Sequence, residues 1–136
     1  MMIPMKPDRR FCPRERLSLQ RDFERVFAAR CSAGNDSLVI YVAANGLEWT
    51  RLGIRTGAKL GTAVERNYIR RRIRESFRTQ KDRFPVGYDV ICLPKRVILD
   101  RRTEVADEME SLIRRAVSRW RRASDRKSES GPSPDA

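Results

Sequence analysis

The stretch Gly61-Thr62-Ala63-Val64-Glu65-Arg66-Asn67-Tyr68-Ile69-Arg70-Arg71-Arg72-Ile73-Arg74-Glu75-Ser76-Phe77-Arg78 sets six arginines and one asparagine on what reads as a single helix. At about 100° per residue, Asn67, Arg70, Arg71, Arg74 and Arg78 share one arc of roughly 100°. Ile69, Ile73 and Phe77 recur every four residues on the neighbouring arc, so the helix has a face to bury while it displays its arginines. Guanidinium groups are permanently charged and present a planar fork of donors that matches phosphate oxygens; lysine meets them only as a point charge. Glu65 and Glu75 are the only acids in the stretch, too few to neutralise six arginines locally, and the excess favours an external polyanion.

Upstream of this helix, Gly57 to Gly61 reads as a flexible lead-in, and Leu38 to Ala44, rich in β-branched and aromatic residues, as a strand. Asn45-Gly46 is a turn signal, so Thr50 to Thr56 is expected to pair back on that strand as a hairpin. Phe23, Val26, Phe27 and Arg30 give a three-then-four spacing that predicts a first helix over 18–30 with Ser18 as its N-cap, followed by a loop from Cys31 to Ser37. Downstream, Tyr88 to Leu93 reads as a strand closed by Pro94. Val105, Met109, Leu112, Ile113, Ala116, Val117 and Trp120 trace the longest helix, capped by Asp100 or Thr103. The expected organisation is a basic, extended N-terminal arm over 1–16, an α+β domain over 17–123 and a disordered C-terminal tail over 124–136.

The 136 residues carry 30 Lys plus Arg against 18 Asp plus Glu, a net charge of +12, which points to nucleic acid or an anionic surface and says nothing of fold. No apolar run is long enough to span a membrane and no signal-peptide core follows the amino terminus, so a cytoplasmic protein is expected. Cys12, Cys31 and Cys92 are odd in number and widely spaced, which suggests neither a disulfide framework nor a zinc site. Histidine is missing altogether, which removes the commonest general base and metal ligand, and no nucleophile motif or phosphate-binding loop pattern appears. No catalytic residue and no protein-bound metal are therefore assigned.

Phe23 and Phe27, one turn apart, read either as core or as a platform on which unpaired bases stack, and Tyr41 could join that surface.

The segment Gly61 to Glu75 closely resembles the signature of the bacterial ribonuclease P protein subunit: Arg66-Asn67, then Arg70-Arg71, then Arg74. The likeness extends to the Leu60-Gly61-Thr62-Ala63-Val64 lead-in, to the Asp22-Phe23 and Val26-Phe27 pairs, and to the order of elements through about residue 120. It implies a single compact α+β domain of α-β-β-β-α-β-α order, with a central sheet and a left-handed crossover around the arginine helix, the fold of the second domain of a small-subunit ribosomal protein. It also implies a subunit, one copy per RNA, that joins a catalytic RNA and binds precursor transfer RNA while its 5′ leader is removed, with magnesium held by the RNA. By the same resemblance Arg66, Asn67, Arg70, Arg71 and Arg74 contact the catalytic RNA, and Phe23, Phe27 and Tyr41 line a cleft for the single-stranded leader. Lys59, Arg55 and Arg78 are candidates for further phosphate contacts. Where the family's turn before the helix carries a hydroxyl residue and two lysines, this chain has Gly57-Ala58-Lys59, and Arg55 is expected to compensate in charge. The competing reading is a ribosomal or other structural RNA-binding protein, which needs no leader cleft.

Overall fold

The computed structural model describes residues 13–80, 82–99 and 105–130. Its elements follow the order α1 (Gln20–Ala29), β1 (Ser32–Gly34), β2 (Leu38–Ala44), β3 (Arg51–Ile54), α2 (Ala63–Gln80), β4 (Tyr88–Pro94) and α3 (Val105–Ser130), which is the α-β-β-β-α-β-α order expected of the family. The four strands lie in the order β1-β2-β4-β3. β2 is antiparallel to both β1 and β4, whereas β3 runs parallel to β4, with Arg51 opposite Asp89 and Ile54 opposite Cys92. A parallel pair needs a long connection, and α2 is that connection.

This order corrects the expected hairpin. β3 does run antiparallel to β2, but β4 lies between them. The Asn45-Gly46 signal makes a local turn in which the Asn45 side chain accepts the Leu47 amide at 2.7 Å, with Gly46 at φ 73°. The chain then continues through Trp49 before β3 begins, which carries it past the neighbouring strand position.

Strand alternation divides the sheet's side chains between two cores. Leu38, Ile40, Val42, Leu52, Val90 and Cys92 face α2 and α3, meeting Ile69, Ile73 and Phe77 from the one and Met109, Leu112, Ile113 and Ala116 from the other. Ala43 and Ile91 face the opposite way, where Leu17, Phe23 and Val26 close a smaller core with Tyr41 and Leu93 at its margin. The sheet is thus a middle layer, with α1 on one side and the other two helices on the second.

Four further sequence expectations shift. The stretch read as a loop from Cys31 contains β1, too short to show alternation, and an Asn35 side chain that accepts the Ser37 and Leu38 amides at 2.8 and 2.9 Å closes the turn into β2. Ser18 does not cap α1: Leu19 occupies that position without a side-chain cap, and Arg30 ends the helix at φ 56°. Residues 13–16 of the supposed arm are anchored, since Arg16 bridges to Leu52, the Leu17 amide donates to the Leu52 carbonyl at 2.9 Å, and Trp49 Nε1 donates to the Arg14 carbonyl at 3.0 Å. This segment covers the outer edge of β3, which would otherwise expose unpaired backbone groups. α3 runs on to Ser130, so residues 124–130 are helical rather than part of a tail. Residues 1–12 of the arm, the Asp100 and Thr103 caps, and 131–136 lie outside the described residues.

One buried carboxylate ties these layers together. Asp89, fully buried on β4, accepts two bonds from Arg51 of β3, each 2.7 Å, one from Asn45 Nδ2 at 3.0 Å, and one from Arg25 of α1. Arg25 also donates to the Ala44 carbonyl at 2.9 Å. The hydrogen bonds of Arg51 to Asp89, helped by the Asp89 and Asp22 charges and opposed by burial, hold the Arg51 guanidinium pKa above its ordinary value. Removing one member of such a buried set strands the others without compensation. Asp89→Ala is therefore expected to cost about 3–5 kcal/mol in urea unfolding, and an unfolding midpoint equal to that of the parent chain would show that the network is dispensable.

Candidate nucleic-acid interface

α2 begins at a reciprocal cap. The Glu65 amide donates to Thr62 Oγ1 at 3.2 Å, and Glu65 Oε1 accepts the Thr62 amide at 2.9 Å. Thr62-Ala63-Val64-Glu65 is the capping-box spacing, a signal present in the sequence that fixes where the helix starts. Gly61 precedes it at φ 154°, and a methyl group there would stand 2.8 Å from Glu65 Oε1, so glycine leaves room for the cap to close. Before it, Ala58–Leu60 form a short 3₁₀ turn with Ala58 and Lys59 exposed.

From this start the helix delivers its faces as the spacing predicts: Ile69, Ile73 and Phe77 are buried, and Asn67 and Arg71 are exposed. Arg70 donates to Asn67 Oδ1 at 3.3 Å, so these two side chains meet on one surface. Arg66, Arg70, Arg71 and Arg74 have no carboxylate partner among the described residues. Arg78 differs, being paired with Glu75, and Arg72, which lies off the arc, donates to the Ile98 carbonyl at 2.8 Å. Arg74 is partly buried. It lines a depression with Arg16, Leu17, Ser18, Leu52 and Ile54, and burial, reinforced by the Arg16 and Arg70 charges, pushes its pKa below the ordinary arginine value. Arg74 thus has two further cations acting on it, an arrangement whose repulsion an anion would relieve.

A second surface lies on the α1 side of the sheet. Phe27 and Tyr41, both partly exposed, meet edge to face with ring centroids 5.0 Å apart. Phe23 is buried beneath them as core. Gly53 admits its ring, since a methyl group at that position would stand 2.7 Å from Phe23 Cζ. Arg55 lies over both phenylalanines, 4.6 Å from the Phe23 centroid and 5.6 Å from that of Phe27, and donates to Gln20 Oε1 at 3.2 Å. The structure thus brings Arg55 to the aromatic patch rather than to the arginine arc of α2.

The ribonuclease P family model matches residues 11–117 of the chain. The chain belongs to the ribonuclease P protein family. It is similar to the ribonuclease P protein component of Thermotoga petrophila, 41% identical over 86 residues that cover 63% of this chain and 74% of that relative. Among solved structures, the ribonuclease P protein from Thermotoga maritima matches with a TM-score of 0.63 and 33% identity, over 71% of this chain and 90% of that one. The Staphylococcus aureus ribonuclease P protein matches with a TM-score of 0.65 and 31% identity, over 74% of this chain and 93% of that one.

Within this ribonuclease P protein fold, reasoning from sequence missed Arg16, Ser18 and the Asp89 network. Arg16 ends the segment assigned to the arm and Ser18 starts the one assigned to the helix, and only the bridge to β3 places them beside Arg74. Among the described residues no group of three or more His, Cys, Asp or Glu converges as a metal-binding set. Cys31 and Cys92 are buried, and burial pushes the Cys92 thiol pKa far above its ordinary value. No helix among the described residues is long and apolar enough to cross a membrane.

Two outcomes follow from this geometry. The bonds from Thr62 hold the Glu65 carboxyl below its ordinary pKa of 4.5. Its cap is then fully formed above that pH and is lost as pH falls through the lower folded value. In acid titrations followed by circular dichroism, Glu65→Gln should therefore flatten the dependence of stability on pH in this range; an unchanged acid limb contradicts the cap. Gly53→Ala should displace Phe23 and lower stability by about 1–3 kcal/mol, read from chemical unfolding.

Proposed function

We propose that this chain is the protein subunit of a ribonucleoprotein that removes the 5′ leader from precursor transfer RNA. Its arginine helix docks on a catalytic RNA, and its aromatic patch holds the leader. The observation that carries the reading is the set Arg70 and Arg74 on α2 with Arg16 brought beside them, gathered with no acidic partner for Arg70 or Arg74 among the described residues, while α2 also presents Arg66, Asn67 and Arg71. The protein builds this charge density against its own repulsion, which an RNA backbone would offset. Phe27 and Tyr41 offer π-faces that accept any base, and Arg55 beside them adds a cation for the backbone. Such contacts ask little of base identity, which suits leaders of varied sequence. Phe23 supports this surface from below. Lys59 and, after release from Glu75, Arg78 extend the docking face at either end of α2.

Magnesium held by the RNA would supply the hydrolytic chemistry, and the protein's part is to bind, position and screen phosphate charge. One protein per RNA in the cytoplasm is the arrangement this reading takes.

The test compares leader-bearing with leaderless precursor on the complex of protein and catalytic RNA. Replacing Phe27 and Tyr41 with alanine should lose about 1–3 kcal/mol of affinity per stacked base for the leader-bearing precursor alone. Replacing Arg70, Arg71 and Arg74 with alanine should weaken assembly with the catalytic RNA and lower its log–log salt slope by roughly 0.7–0.9 per lost phosphate contact. If the wild-type complex binds both precursors equally, the ribosomal or structural RNA-binding reading replaces this one.

A further inference from the structure

α3 carries a second arginine face that neither the core nor the surfaces above use. Arg115, Ser118, Arg119 and Arg122 share an arc of about 100°, are all exposed, and line a shallow groove. Arg115 and Arg122 have no carboxylate partner among the described residues, in contrast to the neighbouring Arg114, which Glu110 holds at 3.3 Å and which also donates to the Arg83 carbonyl at 2.8 Å.

Arg119 relates this groove to the aromatic patch. Its guanidinium donates to the Ser32 carbonyl on β1, and Ser32 stands opposite Tyr41 in the β1–β2 ladder. β1 is an edge strand, so Arg119 reaches to the rim of the sheet, one ladder position from Tyr41. Arg74, by contrast, sits with Leu52 and Ile54 at β3, the other edge. The two edge strands are three spacings apart, about 14 Å, and the Phe27–Tyr41 patch lies between them. Arg55, just after β3, stands where a track across the sheet would start, and Arg119 stands where it would leave.

We propose that the α3 groove binds the backbone of single-stranded RNA that has crossed the Phe27–Tyr41 patch, so that long leaders gain contacts short ones cannot reach. The proposal rests on the leader-binding reading above. The groove offers guanidinium forks and one hydroxyl and no aromatic face, which is equipment for phosphates and sugars without base readout. Its place at the edge opposite Arg74 separates it from an RNA surface docked on the arginine helix.

The experiment uses the complex of full-length protein and catalytic RNA, with three precursors: leaderless, short-leader, and a leader several nucleotides longer. The variant is Arg115→Gln with Arg122→Gln, neither of which breaks a described protein contact, and circular dichroism checks its fold. Affinity for the long leader should fall roughly tenfold, and its log–log salt slope by about 1.4 for two lost contacts, with short-leader affinity unchanged. Arg115→Lys with Arg122→Lys should retain most of the affinity. Equal losses on short and long leaders would assign the groove to the catalytic RNA or the transfer-RNA body and overturn the proposal, as would no loss on either. Failure of the underlying reading has a different signature: wild-type complex that does not distinguish short-leader from leaderless precursor.

Discussion

Asp89 is where the architecture converges. A carboxylate fully buried in the middle of a sheet is tolerated only when its charge is matched, and here Arg51 from the parallel neighbour, Arg25 from the helix above and Asn45 from the turn after β2 all meet it. Each partner comes from a different element. Satisfying the one carboxylate therefore fixes the position of β3 beside β4 and the seat of α1 on the sheet. The rest follows from that placement: β3 at the sheet edge puts Arg55 over the phenylalanines, and the segment bridged to Leu52 puts Arg16 beside Arg74.

The same fold sorts the arginines into two kinds. Arg25, Arg51, Arg72 and Arg114 are used internally, on carboxylates or on backbone carbonyls. Arg66, Arg70, Arg71 and Arg74 on α2, and Arg115 and Arg122 on α3, have no carboxylate partner among the described residues. Net charge alone cannot make that distinction, because both kinds count equally in the +12 total. Structural arginines lock the scaffold; on the function proposed above, the others are where RNA phosphates bind.

Much of this was legible in the chain. The four-residue recurrence of Ile69, Ile73 and Phe77 placed the buried face of α2, and the same periodicity placed the arginine arc and the core stripe of α3. What periodicity does not contain is adjacency. The β2–β3 hairpin was the economical reading because Asn45-Gly46 is a local signal, whereas the insertion of β4 between those strands depends on a contact between residues 38 apart, Arg51 and Asp89. β1 escaped notice because three residues show no alternation. For the site, Arg70, Arg71 and Arg74 could be grouped from spacing, but Arg16 could not, since it joins them only through tertiary structure. Phe23 and Phe27 looked equivalent in sequence and are not: the first is core under Arg55, and the second reaches the surface beside Tyr41.

The account makes the protein a binder whose partner RNA performs the chemistry, and that division can be measured directly. Precursor transfer RNA is incubated at low magnesium with the host's candidate catalytic RNA alone, with the purified protein alone, and with both. The account predicts removal of the leader by the mixture, little by the RNA alone and none by the protein. Cleavage by the protein in the absence of RNA, or no stimulation when the two are combined, would contradict it.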